Sequence, residues 1–317
     1  MRSRPPLPHV GLMKSVRRRS VFHNGNDAHY KFMSPVDKGT PPIPCSEWAA
    51  TPEAVIVHDP VAAGAFDDLA ADTPPENFLF RAHPQAAAYA AQHAAFREAL
   101  RRHVPVYLLS ELVGTHMTWR KTGRSPNQVF TRDSLITLPW VPSSYIRARM
   151  KPMQRREESE TMAAAVRRLS LTELVRLPED IFLEGGDVVP FMRKGCRTLL
   201  VGYGPRSTRA GARFLRDTLV PAHLDEVIAI ELADWRMNLD GGFLPVAGDV
   251  VLTERESILR AEVMDKRGEH ERDLWAMLDG MGMHVIGVTR EESIHRQACN
   301  AVCLGTGALS AMTCASG

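Results

Sequence analysis

One short pattern recurs four times in this chain: an acidic or amide residue stands directly before an apolar run typical of a β-strand. These residues are Asp133, Glu184, Asp240 and Asn300, separated by 51, 56 and 60 residues. Each interval also contains an amphipathic segment, so each repeat predicts a small α/β unit that must bury its apolar faces against its neighbours. The spacing agrees with a closed ring of units around a central axis and with an ordinary mixed α/β sheet.

Hydrophobic periodicity predicts the elements between and around these residues. Helices are predicted at residues 84–103, 157–169, 208–219 and 269–281. Strands are predicted at 54–58, 104–109, 130–138, 182–191, 198–201, 226–232, 284–289 and 301–304, with a strand pair at 243–252. The alternation of the two types predicts the α/β class.

The first 45 residues differ from the rest. They are rich in Pro, Arg and Ser, and the first 20 carry six basic side chains and no acidic one. We therefore expect a disordered basic leader at 1–45, or a true start at Met13 or Met33, followed by one α/β domain at 46–317. A transit peptide or a polyanion-binding arm is the less favoured interpretation of this basic segment.

Composition excludes several classes of protein. Lys and Arg number 39 against 37 Asp and Glu, which excludes a strongly basic nucleic-acid-binding protein. No apolar run reaches the roughly 18 residues that a membrane span requires. Five cysteines are too few and too scattered for a disulfide framework, so we expect a cytoplasmic location.

Three carboxylates at equivalent strand starts would converge in a ring. Converging carboxylates suit a hard metal ion, an acid/base pair or a planar cation. No histidine stands near Asp133, Glu184 or Asp240, which disfavours a metal site. A guanidinium is matched by coplanar carboxylates that accept its N–H groups in pairs. The diglycines after Glu184 and Asp240 would let backbone approach such a flat ligand closely.

The motif strings resemble those of the guanidine-modifying enzyme superfamily, which includes arginine deiminases, dimethylarginine dimethylaminohydrolases and amidinotransferases. The strings are N-x-x-F-T-R-D from Asn127, E-G-G-D from Glu184, L-D ending at Asp240 and N-x-x-x-L-G from Asn300. The resemblance runs from about residue 46 to 305. It implies a five-bladed α/β propeller of ββαβ units and a small-molecule guanidino substrate such as arginine. It also implies a cysteine thiolate that forms a covalent thiouronium, without a metal or organic cofactor. Formation of a homo-oligomer is left open.

The resemblance also assigns roles to individual residues. Asp133 and Asp240 match the carboxylates that hold the guanidinium nitrogens, and Glu184 matches the acid that pairs with the substrate and a catalytic histidine. The residues that match binders of the amino-acid end of the substrate are Asn127, Arg206 and, less closely, Arg155 or Arg156.

Two departures from the family pattern put activity in doubt. Asn238 stands where the family has the catalytic histidine, and an amide cannot titrate. No terminal Gly-Gly-x-x-Cys follows the last motif; Cys303 lies within a predicted strand and Cys314 in the last residues. We expect an incomplete last blade, a missing nucleophile, impaired turnover and a reading-frame shift near 306–308. A non-catalytic guanidinium-binding protein and an amidinotransferase remain as alternatives.

Overall fold

The computed structural model describes residues 52–67, 74–114, 119, 123–304 and 309–311. The predicted basic leader, its alternative starts, the 45/46 boundary, Cys314 and most of the expected frame shift lie outside the described residues. No helix within these ranges is both long and apolar enough to cross a membrane.

Strands and helices alternate along most of the described chain. The strands are β1 Val55–Val57, β2 Val106–Leu108, β3 Leu135–Ile136, β4 Ser144–Arg147, β5 Thr172–Arg176, β6 Val188–Arg193, β7 Cys196–Tyr203, β8 Glu226–Leu232, β9 Phe243–Ala247, β10 Val250–Thr253, β11 Ile258–Asp265, β12 Gly268–Arg272, β13 His284–Gly287, β14 Ala301–Cys303 and β15 Leu309–Ala311. The helices are α1 Ala86–Arg101, α2 Leu109–Val113, α3 Glu158–Arg168, α4 Arg209–Leu219, α5 Leu274–Gly280 and α6 Arg290–His295. The mixed α/β class is therefore confirmed.

The largest sheet has five strands in the order β12-β11-β8-β7-β6. β6 and β7 form an antiparallel hairpin, and β7 runs parallel to β8 through the crossover helix α4. Apolar residues occupy both faces of β7 and β8: Leu199 packs with Leu215 of α4, whereas Leu200 packs with Phe243 of β9. Strands buried on both faces have continuous apolar sequences, which explains why β8 was predicted at its observed bounds.

Four smaller sheets complete the described fold. Their orders are β1-β2, β3-β4-β5, β13-β10-β9 and β14-β15. The β9–β10 hairpin turns at residues 248–249, as predicted. The side chain of Thr131 donates to the carbonyl of Ile56, so β1 is tied directly to the turn that precedes β3.

The predicted helix at 269–281 is wrong in its first part. Residues Gly268–Arg272 instead form β12, which pairs antiparallel with β11. The helix α5 begins only after Asp273, whose carboxylate accepts hydrogen bonds from the backbone N–H groups of Trp275 and Ala276. Cross-strand pairing therefore overrides the helix preference of the charged residues.

The predicted strands at 130–138 and 182–191 begin later than expected. Each is preceded by a 3-10 turn, at Thr131–Ser134 and at Gly185–Asp187, and a third such turn at Leu239–Gly241 precedes β9. The recurring acidic residues therefore lie on or directly beside equivalent turns.

Candidate functional site

The three 3-10 turns converge at the first diglycine motif, Gly185-Gly186. A Cβ atom on Gly186 would lie 2.8 Å from Oδ1 of Asp133 and 3.1 Å from Oδ2 of Asp240. A Cβ atom on Gly185 would collide with the carbonyl oxygen of Arg132. Only glycine leaves room for these approaches. The structure thus brings one carboxylate oxygen of Asp133 and one of Asp240 together on the Cβ side of Gly186.

Glu184 lies at the base of this arrangement and is fully buried. Its Oε1 accepts from the backbone N–H of Lys151 at 3.1 Å. Its Oε2 accepts from Nδ2 of Asn238 and from Nη1 of Arg206, both at 3.4 Å. Asn238 therefore contacts the acid that, by resemblance, would pair with a histidine.

Asp187, the last residue of E-G-G-D, connects this base to the neighbouring turn. Its carboxyl is fully buried, accepts from the backbone N–H of Leu239 at 2.8 Å and from Nδ2 of Asn238 at 3.1 Å, and lies 2.5 Å from Oγ of Ser207. Burial raises the pKa of Asp187 well above its ordinary value. The hydrogen bonds from Ser207 and Leu239 act in the opposite direction but are the smaller effect. The sequence places Asp187 within the E-G-G-D string but predicts no role for it.

Asp133 is held from behind by Arg155. Nη1 of Arg155 donates to Oδ2 of Asp133 at 2.8 Å, and its Nε donates to Glu158 at 2.9 Å. The same guanidinium reaches the carbonyl of Asn127 at 3.3 Å and lies over the ring of Phe130. Although burial disfavours its charge, the two carboxylates keep the pKa of Arg155 above its ordinary value.

Asp240 lies beside Arg132 and above Arg236. Nε of Arg132 is 3.5 Å from Oδ2 of Asp240, and both side chains are partly exposed. Nη1 of Arg236 donates to the carbonyl of Gly241 at 2.7 Å, and its Nη2 donates to Oγ of Ser293 at 2.7 Å. Burial lowers the pKa of Arg236, although its partner Glu254 opposes the change.

The residues expected at the amino-acid end of a substrate lie around this centre. Asn127 is buried, and its Nδ2 donates to the carbonyl of Phe78 at 2.6 Å. Nη2 of Arg206 contacts the sulfur of Met237 at 3.2 Å, opposite its bond to Glu184. Arg156 is exposed and lies over the ring of Phe182. Asn300, the fourth recurring residue, is exposed and donates to Gln297.

The cysteines in the described part of the chain have no activating surroundings. Burial raises the pKa of Cys299 to about 12. Burial also raises the pKa of Cys196, and Cys303 is buried with its thiol towards the carbonyl of Pro245. Within the same residues, no cluster of three or more His, Cys, Asp or Glu side chains could hold a metal ion.

The family match and the mixed α/β fold place this chain in the guanidine-modifying enzyme superfamily. The model of the arginine deiminase family matches residues 120–308, more than half of the chain, and the chain therefore belongs to that family. A search of curated proteins finds no significant match.

Solved structures share this fold at low sequence identity. The product-bound N-terminal domain of ArgZ, an arginine dihydrolase from Cyanobacteria, is 22% identical, with a TM-score of 0.53 over 70% of this chain and 71% of that chain. A dimethylarginine dimethylaminohydrolase variant in adduct with S-methyl-L-thiocitrulline is 19% identical, with a TM-score of 0.54 over 80% of this chain and 81% of that chain. Full-length ArgZ is 22% identical, with a TM-score of 0.50 over 67% of this chain. The match covers only 29% of the full-length ArgZ chain.

Proposed function

We propose that this protein binds the guanidinium group of arginine or a substituted arginine, as an arginine deiminase-like hydrolase does. The observation that carries the proposal is the convergence of Asp133 and Asp240 on the Cβ side of Gly186. Two neighbouring carboxylates match the charge and the paired N–H groups of a guanidinium. Glu184 supplies a third, buried carboxylate beside them.

The hydrolysis of such a substrate has a fixed balance of bonds and protons. A thiolate adds to the guanidinium carbon and forms a C–S bond, a general acid protonates one nitrogen, and the C–N bond breaks to release ammonia or an amine. Water then adds to the thiouronium carbon and gives one proton back to the conjugate base of that acid. The C–S bond breaks to return the thiolate, and a second proton passes to the released amine or to solvent to leave a neutral ureido product. Asp133, Asp240 and Glu184 would stabilise the positive charge during both steps.

Asn238 limits this reaction because an amide cannot shuttle the two protons. Loss of a positioned acid–base group costs about 10²–10⁴ in rate. The thiols described here are also buried or have a raised pKa, so none of them offers a ready thiolate. We therefore propose that binding is retained and that turnover is slow or absent.

Calorimetry with L-arginine, together with a citrulline assay, tests this function. We expect the wild type to bind, Asp240→Asn to bind roughly 10-fold or more weakly, and citrulline release to stay near background. Asp249→Asn, at an exposed turn, is the matched control. A wild type that does not bind L-arginine would refute the proposal. Rapid citrulline release would instead show that a nucleophile outside the described cysteines completes the site.

A non-catalytic guanidinium-binding protein is the second candidate. The observation that favours it is Asn238, which donates to Glu184 and Asp187 and so preserves the hydrogen bonds of the site without an acid–base group. Binding of L-arginine without product, at any pH between 6 and 9, would favour this candidate over a slow hydrolase.

We also propose that the units form a five-bladed α/β propeller with the acidic turns near its axis. The five separate sheets in the described residues support this arrangement. The repeat of turn, strand and helix supports it as well, because similar units pack side by side. A crystal structure in which the sheets do not surround a common axis would refute it.

A further inference from the structure

Two buried arginines lie directly behind the turns that carry Asp133 and Asp240. Arg155 is 3% exposed and Arg236 is 6% exposed. Each is paired with a glutamate that is itself almost completely buried, Glu158 for the first and Glu254 for the second. A buried Arg–Glu ion pair therefore lies behind each of the two proposed guanidinium-binding aspartates.

Arg155 holds the first turn by direct contact. Its fork reaches Oδ2 of Asp133 at one end and the carboxylate of Glu158 at the other. Glu158 belongs to helix α3 and also accepts a hydrogen bond from Ser125 at 3.0 Å. Because Oδ2 is occupied, Asp133 presents Oδ1 to the space at Gly186.

Arg236 holds the second turn through its backbone. A Cβ atom on Gly241 would lie 2.8 Å from Nη1 of Arg236, so the guanidinium packs closely against the turn. The carbonyl of Gly241 accepts from both Arg236 and Ser293, each at 2.7 Å. Gly241 directly follows Asp240 in the chain, so these hydrogen bonds hold the turn that carries the aspartate.

Buried ion pairs are poor sources of stability, because removing two charges from water offsets most of their attraction. Their value here is geometric: a planar guanidinium with fixed donors can hold two acceptors at a set angle, and lysine cannot. We propose that Arg155 and Arg236 are positioning residues that aim Asp133 and Asp240 at one guanidinium. This inference rests on the proposed function of those aspartates.

Double-mutant cycles on the full chain test the inference. Arg155→Lys keeps the charge but loses the fork, and it should weaken the binding of both L-arginine and methylguanidine about 10-fold, as loss of a charge-assisted hydrogen bond does. In an Asp133→Asn background the same change should have little further effect. Arg236→Lys should likewise weaken binding of both ligands about 10-fold in the wild type and have little further effect in an Asp240→Asn background.

The crossed pairs and a surface variant serve as controls. Arg155→Lys combined with Asp240→Asn should show additive losses, because each arginine acts through its own aspartate. Arg176→Lys alters an exposed arginine that also pairs with a glutamate three residues away, and it should not change binding. Circular dichroism and Tm establish that each variant is folded at the assay temperature. If Arg155→Lys does not fold, Glu158→Gln tests the same cycle.

Each outcome decides the question. The positioning role is supported if the losses of binding are non-additive within the pairs Arg155/Asp133 and Arg236/Asp240 and additive in the crossed pairs. Full additivity within these pairs, or weakening of L-arginine but not of methylguanidine, overturns positioning and leaves the proposed function standing. A folded wild type that binds neither ligand overturns the proposed function and the positioning inference together.

Discussion

The stability of this fold should fall steeply as the solution becomes mildly acidic, because His58 is buried in its neutral form. His58 follows β1 and is only 1% exposed. Burial, reinforced by the nearby His93, lowers the pKa of His58 from 6.5 to about 4, despite the opposing effect of Asp59 and the backbone of Gly123. Arg97 lies near the same group, 4.0 Å from Asp59.

The sign and size of the effect follow from this pKa. The folded pKa lies below the unfolded one, so the unfolded chain binds the proton more tightly between pH 6.5 and 4. His58 imposes no penalty well above pH 6.5, and stability is lost as the pH falls towards 4. At 1.36 kcal/mol per pKa unit the full loss is about 3 kcal/mol, of which about 2 kcal/mol falls between pH 7 and pH 5.

Urea unfolding at constant ionic strength, at pH 7, 6 and 5, measures this loss. The substitution His58→Gln removes the titrating group, and the variant should lose about 2 kcal/mol less than the wild type across this range. His103→Gln, at an exposed histidine, is the matched control and should follow the wild type. Identical pH dependence in the wild type and His58→Gln would refute the argument.

Three further predictions concern the site. Gly186→Ala should weaken L-arginine binding at least ~10-fold in calorimetry, because its Cβ would lie 2.8 Å from Asp133, whereas Gly280→Ala, with open space around it, should bind normally. Because the folded-state pKa of Asp187 is raised, the wild type loses free energy of unfolding as the pH rises above the unfolded-state pKa of this carboxyl. Asp187→Asn lacks the titrating group, so its free energy of unfolding should rise relative to that of the wild type between pH 4 and pH 8. Urea unfolding measures this, and a difference that does not change with pH would contradict it. Cys299, with a buried thiol of pKa about 12, should resist iodoacetamide at pH 8 in the native protein and react in urea, as followed by mass spectrometry.

Sequence reasoning succeeded where the signal is local. The interior strand Glu226–Leu232 was predicted at its observed bounds because both of its faces are apolar. The diglycine at Gly185 is predicted to let backbone approach a flat ligand; in the structure the neighbouring turn, at the carbonyl of Arg132, occupies the space of a side chain there, and approach to a ligand stays a prediction. Both conclusions depend on a few consecutive residues.

Other features depend on partners that are distant in the chain. The segment Gly268–Arg272 is charged and favours a helix, yet pairing with β11 makes it a strand. The bond between Arg155 and Asp133 joins residues that are 22 positions apart, and that between Arg236 and Ser293 joins residues 57 apart. Motif strings do not show such pairings, which is why Glu158 and Arg236 went unnoticed as supporting residues.

Under the proposed function, Asn238 is the residue that separates binding from turnover. Its single NH₂ group donates to both Glu184 and Asp187, and so it satisfies two buried carboxyl groups at once. A neutral histidine has one N–H and could satisfy only one of them. The amide therefore preserves the geometry that orients Glu184 beside Asp240, while it removes the only side chain type that exchanges protons readily near neutral pH. Under the proposed function, the described site keeps the carboxylates that a guanidinium ligand needs for binding and lacks, at Asn238, the acid–base group that rapid hydrolysis needs.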